Sequence, residues 1–464
     1  VRLAWQVAPP FLVLAVSRKP FHWRWRGYEL AGRSYCGAVI LENSMQTSLK
    51  LAAALLLATS SALSAQTPEE VAAAALDAAP VFDGHNDVPI QLRARFGNVI
   101  NEFDFEDTSS TGETHPRGAA MHTDLARLRQ GRVGAQYWSV YVSASLEEPV
   151  AVQATLEQID VTKRLIARYP DDLMLALTAD DVEAALAQGK IASLMGMEGG
   201  HSIGSSLAVL RQMYALGARY MTLTHSANTP WADSATDDPE HNGLTDFGRE
   251  LIREMNRIGM QVDLSHVSEK TMHDVLDVAK APVIFSHSSA RAMNGHARNV
   301  PDSVLQRLPA NGGVIMVTFV PGFLSEAARQ WNANRDAEEA RLKALWQGQP
   351  EQVTQGMRLW DDRNPLPQSS IGEVADHIDH IRVVAGIDHI GIGGDYDGIP
   401  FAPPGLEDVT GYPALFAELA RRGYSQQDLE KISLRNALRA LRAAEAYADS
   451  QQGAAPIETP ASAG

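Results

Sequence analysis

From Thr67 onward, short apolar runs alternate with amphipathic stretches. The apolar runs are Val81–Asp83, Ala135–Val142, Ile191–Met197, Tyr220–Thr224, Met260–Leu264, Val283–Phe285, Val314–Phe319 and Ile390–Ile392. Between them Val152–Arg168, Ala208–Leu216, Thr245–Ile258, Glu269–Ala279 and Ile371–Ala385 space their apolar residues three and four apart, the period of a helix with one buried face. Many of the strand-like runs are continuously apolar, as parallel strands buried on both faces are. Eight such runs alternating with helices predict an α/β fold, a (β/α)8 TIM-type barrel, with chemistry at the C-terminal strand ends. The barrel is expected over residues 67–448, with a disordered tail at 449–464. Pro321–Ser370 interrupts the alternation as an insertion between the seventh strand and its helix. Its middle, Ser325–Trp346, is charged and helix-prone, while Asp361–Ser370 is turn-rich. It reads equally as a lid over the barrel mouth or as a variable surface excursion.

The start of the chain has a different character. Met45–Ala65 reads as a secretory signal: Lys50, the apolar Leu51–Ala58, then small residues at 62–65 for cleavage before Gln66. Its apolar core is shorter than the roughly 20 residues that span a bilayer. No Cys follows the cleavage site, and Gln451–Gly464 lacks a hydrophobic tail, so no lipid anchor is expected. The localisation that follows is periplasmic or secreted, from a bacterium. Residues 1–44, basic and Trp-rich around Phe21–Arg26, read as a non-native upstream extension, with translation starting at Met45.

Composition narrows the class. The formal net charge of −16 and the lack of a basic patch in the body of the chain argue against nucleic-acid binding. The lone Cys36 lies in the upstream stretch, so the mature protein needs no disulfide, and 464 residues supply core enough without one.

The chemistry gathers at the ends of the apolar runs. Val-Phe-Asp-Gly-His-Asn-Asp at 81–87 presents His85 and Asp87 two residues apart, on one face of an extended segment, where both can reach one metal ion. Met195-Gly-Met-Glu198-Gly-Gly-His201 ends the third run in a carboxylate. His225 follows Thr222-Leu-Thr, His266 ends Val262-Asp-Leu-Ser, His287 ends Val283-Ile-Phe-Ser, and Gly393-Gly-Asp395-Tyr-Asp397-Gly closes the series. One strand-end histidine is more often a satisfied core residue. Several at successive strand ends of one barrel are aimed at a common centre.

Together the motifs DGHND, MEGGHS, LTHSANTPW, DLSHVS, FSHSSAR with NGHARNVPD, and GGDYDG resemble the membrane (renal) dipeptidase family of the metal-dependent amidohydrolase superfamily, over roughly Val81 to Leu441. The resemblance implies a metallohydrolase that cleaves dipeptides with a free C-terminal carboxylate. It implies two zinc ions per chain, with His85 and Asp87 on one, His266 and His287 on the other, and Glu198 bridging both. Two such ions hold a bridging water and lower its pKa toward roughly 7, supplying hydroxide. It further implies that His225 stabilises the oxyanion, that Asp395 carries a proton from the water to the leaving amine, and that Arg298 binds the substrate carboxylate. Family members often form homodimers, and that expectation comes with the resemblance. One departure concerns an aromatic hydroxyl that some members place after the seventh strand. The best match here, Phe323, has no hydroxyl, so the contact lacks a donor at this position.

Other readings compete locally. Gly200-His-Ser202-Ile-Gly204 fits a G-x-S-x-G nucleophile elbow and would make a serine hydrolase of Ser202, but it leaves the five metal-type residues without a role. His377-Ile-Asp379-His380 looks like a metal cluster, yet Val374, Ile378 and Ile381 mark an amphipathic helix on which both histidines read as surface or packing residues. His201 reads either as a support for Glu198 or as a packing residue. A sister amidohydrolase acting on another amide or ester would share the whole donor set, and a non-catalytic metal- or peptide-binding protein on the same scaffold would not need His225 and Asp395.

Overall fold

The computed structural model describes residues 66–112 and 119–458. The expectations for residues 1–44 and for the signal-like stretch 45–65 lie outside the described residues, as does Cys36. Among the described residues nine strands run in parallel: β1 (Val81–Asn86), β2 (Val133–Ser139), β3 (Leu173–Leu175), β4 (Ile191–Glu198), β5 (Ala218–Thr222), β6 (Gln261–Asp263), β7 (Ile284–Phe285), β8 (Val314–Val317) and β9 (Ile390–Ile392). Eight of them form a closed ring in the order β1, β2, β4, β5, β6, β7, β8, β9, with β9 returning to β1 through Asp83 and Ile392. This is the TIM-type barrel with its helices outside. The ninth, β3, was not foreseen. It pairs only with the first residues of β4, below the point where β5 takes over that edge, and three residues carry too little pattern to be read as a strand.

Short apolar strands suffice here because each is buried on both faces: every residue of β1, β2, β4 and β5 is buried. Phe82, Tyr137, Leu194, Tyr220 and Met316 belong to one apolar cluster with Leu434, from the turn Lys431–Arg435, and with Ala437 and Leu441, which the last long helix, Asn436–Ser450, brings to the strands. A larger cluster joins strands to the surrounding helices. Those helices start where polar caps stop the chain. Thr245 accepts a hydrogen bond from Gly248 N–H to open Asp246–Ile258, which then buries Leu251, Ile252 and Met255. No helix among the described residues is long and apolar enough to cross a membrane.

Two expectations shift. The insertion folds as Pro321–Leu324, Glu326–Leu345 and Pro350–Arg363, so helix continues two residues beyond Asp361 before the turn-rich stretch begins. The two long helices pair with each other through Arg335 and Asp361 and through Trp331 and Trp360, and bury only Ala328, Leu342 and Met357. It is a self-packed hairpin, and only its first turn borders the barrel mouth. The tail expected from residue 449 is ordered further than that: the last helix reaches Ser450, and the Ile457 N–H donates to Glu254 Oε2 while its carbonyl accepts from Arg211.

Candidate metal and active site

The parallel ring aims its C-terminal strand ends at one place, and the chemistry collects there. Glu198, the last residue of β4, stands in the middle. Its Oε2 lies 3.3 Å from His85 Nε2, while its Oε1 lies 3.0 Å from His266 Nε2, 3.5 Å from His287 Nε2 and 3.8 Å from His225 Nε2. Asp87, the first residue after β1, places its Oδ2 3.3 Å from the same His85 nitrogen, so the two residues meet as their spacing predicts. Three overlapping groups of donor atoms result: His85, Glu198 and His287; Glu198, His225 and His266; and His85, Asp87 and Asp395. Seven donors from six of the eight barrel strands therefore meet, and Glu198 belongs to two of the groups.

The donor set suits a cation. His85 Nε2 is buried and has no hydrogen-bond partner, while its other nitrogen, Nδ1, lies 2.8 Å from the Tyr220 hydroxyl. The Nε2 atoms of His266 and His287 face each other at 3.0 Å. Burial, with Arg298 adding to it, pushes both imidazoles well below the usual histidine range. Their Nε2 atoms and Glu198 Oε1 converge on one spot, a set of nitrogen and carboxylate donors that suits a divalent cation. Behind His287, Ser286 Oγ joins its Nδ1 at 2.8 Å and donates to Asp263 Oδ2 at 2.6 Å, fixing the ring from the far side.

Asp395 follows β9 in a tight loop, its N–H donating to the His85 carbonyl at 3.2 Å. Burial raises its carboxyl well above the ordinary range, and Asp87 and Glu198 add to this while His85 and Arg298 oppose it. A carboxyl held there takes up and keeps a proton more readily than a free one. His266, Asp395 and Asp397 all have positive φ (71°, 64° and 66°), a conformation that non-glycine residues adopt at some cost. Three of the seven described non-glycine residues with positive φ thus sit at the site.

These residues line a cavity of about 350 Å³, with Arg298, Tyr141, Val320 and Phe323 on its walls. Arg298 is buried (3 % exposed) and donates to Ser288 Oγ and the His287 carbonyl, both at 3.3 Å. Burial lowers its guanidinium to about 10, still cationic at neutral pH. Asp302, a nearby acid in sequence, pairs with His380 at 2.7 Å. Phe323 lies under the guanidinium, 5.3 Å from ring centroid to Cζ.

The competing features resolve as packing. Ser202 sits buried in a short 3-10 turn with no hydrogen-bond partner, hence without a base to activate it. His377 is buried, accepting from the Ala290 N–H and contacting the Leu324 carbonyl, and His201 contacts the Ser143 carbonyl. The sequence reading missed Tyr141, Tyr220 and Ser139. The Tyr141 ring lies tilted against His225, 4.8 Å between centroids, and Ser139 donates to Glu198 Oε2 at 3.0 Å. The signal available was a gap: the Ala135–Val142 run had been given no functional residue, and it supplies both Ser139 and Tyr141.

A family model described as membrane dipeptidase (Peptidase family M19) matches residues 69–455. The chain belongs to the membrane dipeptidase family. It is 41% identical over 384 residues to Dipeptidase 3 of Rattus norvegicus, covering 82% of this chain and 68% of that protein. It is 42% identical to Dipeptidase tcpJ of Claviceps purpurea (strain 20.1), covering 81% and 79%. Among solved structures, a probable dipeptidase, PvdM, from Pseudomonas aeruginosa superposes with a TM-score of 0.69 at 24% identity, covering 82% of this chain and 99% of that one. A metallopeptidase described as dipeptidase AC does so with 0.62 at 26%, covering 79% and 98%. Membership makes this chain a metallo-dipeptidase and a hydrolase, and the clustered donors are the place in it where a metal cofactor fits.

Proposed function

We propose that the chain hydrolyses the peptide bond of dipeptides whose C-terminal carboxylate is free, using two zinc ions held by His85, Asp87, Glu198, His266 and His287. The observation that carries this reading is Arg298, a buried cation in the wall of the donor-lined cavity with no carboxylate partner among the described residues. When bound, two zinc ions would supply hydroxide at neutral pH and polarise the scissile carbonyl. The protein groups do the rest. Arg298 receives the substrate carboxylate through two N–H groups and so fixes how far the scissile bond extends into the cavity. His225 donates from its ring to the oxyanion as the carbonyl carbon becomes tetrahedral. Asp395 accepts the proton of the attacking water and passes it to the amine, which cannot leave unprotonated.

The test is a panel of free and C-terminally amidated dipeptides and tripeptides, assayed with and without a chelator and with metal counted per chain. A metallopeptidase from Rhodobacter sphaeroides was solved with a phosphinate mimic of L-Ala-D-Ala, so dipeptides with a C-terminal D-residue belong in the panel. Chelator-sensitive cleavage confined to free dipeptides is the expected outcome. Equal cleavage of the amidated series overturns the carboxylate reading, and full activity with one ion per chain overturns the bridged pair.

The signal-like stretch 45–65 supports export to the periplasm or beyond, with a mature chain beginning near Gln66. N-terminal sequencing of the native protein checks this, and finding Val1 or Cys36 in the product would exclude it. A homodimer is proposed on the family's habit alone, to be measured by sedimentation.

A further inference from the structure

Two segments far apart in the chain exchange hydrogen bonds beside the site. The His122 N–H donates to Asp397 Oδ1 at 2.7 Å, and the Asp397 N–H donates to His122 Nδ1 at 3.0 Å. The two residues are 275 positions apart. Asp397 belongs to the loop that carries Asp395, and both aspartates are held at positive φ with Tyr396 between them. A loop with two non-glycine residues in that region relaxes unless its surroundings over-determine it. The His122 ring packs edge-on against Tyr396 at 5.8 Å, and Gln91 Nε2 donates to the Asp397 carbonyl at 2.6 Å. Next to His122, Thr123 Oγ1 accepts from Asn86 Nδ2 at 2.8 Å, and Asn86 lies between His85 and Asp87. One short segment therefore braces both arms of the site. His122 itself borders the adjoining cavity, of about 430 Å³, and not the one lined by the donors.

We infer that His122 is a positioning residue for Asp395, holding its loop in the strained conformation through the reciprocal pair with Asp397. The inference rests on the proton-carrying role proposed above for Asp395. It also explains why the residue is a histidine. The bond to Oδ1 comes from the backbone and any residue supplies it. The bond to the Asp397 N–H needs an acceptor at the place of Nδ1. An asparagine side-chain oxygen reaches that place, whereas a glutamine oxygen reaches the place of Nε2 instead.

The experiment compares His122→Ala, His122→Asn and His122→Gln in the metal-loaded enzyme. Measured for each are kcat, KM, metal content and amide exchange over Gly393–Gly398. His122→Ala and His122→Gln should lose roughly 10–100-fold in kcat, the scale expected when a reacting group is displaced by about 1 Å, with KM and metal content close to wild type. In both, exchange at Asp397 should accelerate. His122→Asn should restore kcat and slow exchange. Should His122→Ala fail to fold, the contrast between Asn and Gln decides alone. If Asn and Gln behave alike, or His122→Ala keeps wild-type kcat while Asp395→Asn is inactive, the positioning role is wrong and the reading of Asp395 stands. An active Asp395→Asn variant removes the proton role, and this inference with it.

Discussion

The Tyr220 hydroxyl lies 2.8 Å from Nδ1 of His85, on the side of the imidazole away from Glu198. The hydroxyl donates to the Gly84 carbonyl at 3.4 Å and so accepts from Nδ1–H, which leaves the Nε2 lone pair available to a cation. Burial raises the phenol, so it stays neutral and cannot compete as a charge. The ring has room because residue 196 is glycine; a Cβ there would stand inside the Tyr220 ring. Tyr220→Phe should weaken metal binding about 10–100-fold while leaving the fold intact, read by titration against a competing chelator. Gly196→Ala should reach the same end by displacing the ring. Unchanged metal affinity in Tyr220→Phe would remove this orienting role.

Glu198 offers one oxygen to His85 and the other to His266 and His287. Glu198→Gln halves that capacity and removes the charge, so metal content and activity should fall together. Asp395→Asn should keep its metal and lose on the order of 10²–10⁴ in rate through proton transfer. Elemental analysis beside kcat separates the two. Metal loss in Asp395→Asn would instead make Asp395 a ligand.

Arg298→Met should cost free dipeptides about 10–150-fold in kcat/KM, the loss of a charge-assisted contact worth roughly 1.5–3 kcal/mol. Amidated dipeptides should already be poor substrates and should lose little more. With its guanidinium lowered to about 10, Arg298 loses charge earlier than a free arginine. Recognition of free dipeptides should therefore persist through neutral pH and fade as pH rises past about 10. A variant silent on both series would contradict the clamp.

Gly398 marks a close approach between the two arms of the site. A Cβ there would collide with Asp87 Oδ2 and with Asp395 Oδ1, one from each arm. Gly398→Ala should destabilise the protein by about 1–3 kcal/mol, the range for overpacking. It should also disable catalysis by pushing the two carboxylates apart. Activity retained at a wild-type melting temperature would show that the loop moves aside freely.

What the sequence disclosed followed strand ends. His85, Asp87, Glu198, His266 and His287 were legible because a parallel barrel turns positions at the ends of apolar runs into neighbours, whatever separates them along the chain. Tyr220 was not, since its role depends on lying beside Gly196 of the adjacent strand, a lateral relationship with no local signature. Tyr141 and Ser139 were hidden for a similar reason, their partners being on β4 and after β5. The insertion announced its helices through charge and propensity. Where they pack was obscure because they carry almost no apolar stripe. Ser202 shows the opposite error, a motif that matches in letters while its hydroxyl is buried without a base.

The closure of the ring has a consequence for how the protein comes into being. Asp83 of β1 accepts from the Gly394 N–H, 311 residues further on, and this pair stands where the last strand meets the first. A nascent chain that has emerged only as far as β8 holds the residues of two donor groups but lacks Asp395 and the strand that seals the circle. Ion capture and the final folding step are therefore expected to be coupled, since late, long-range pairings are the slow ones. Refolding followed by metal uptake should then track barrel closure, and chains cut before Ile390 should accumulate as open, poorly loaded species.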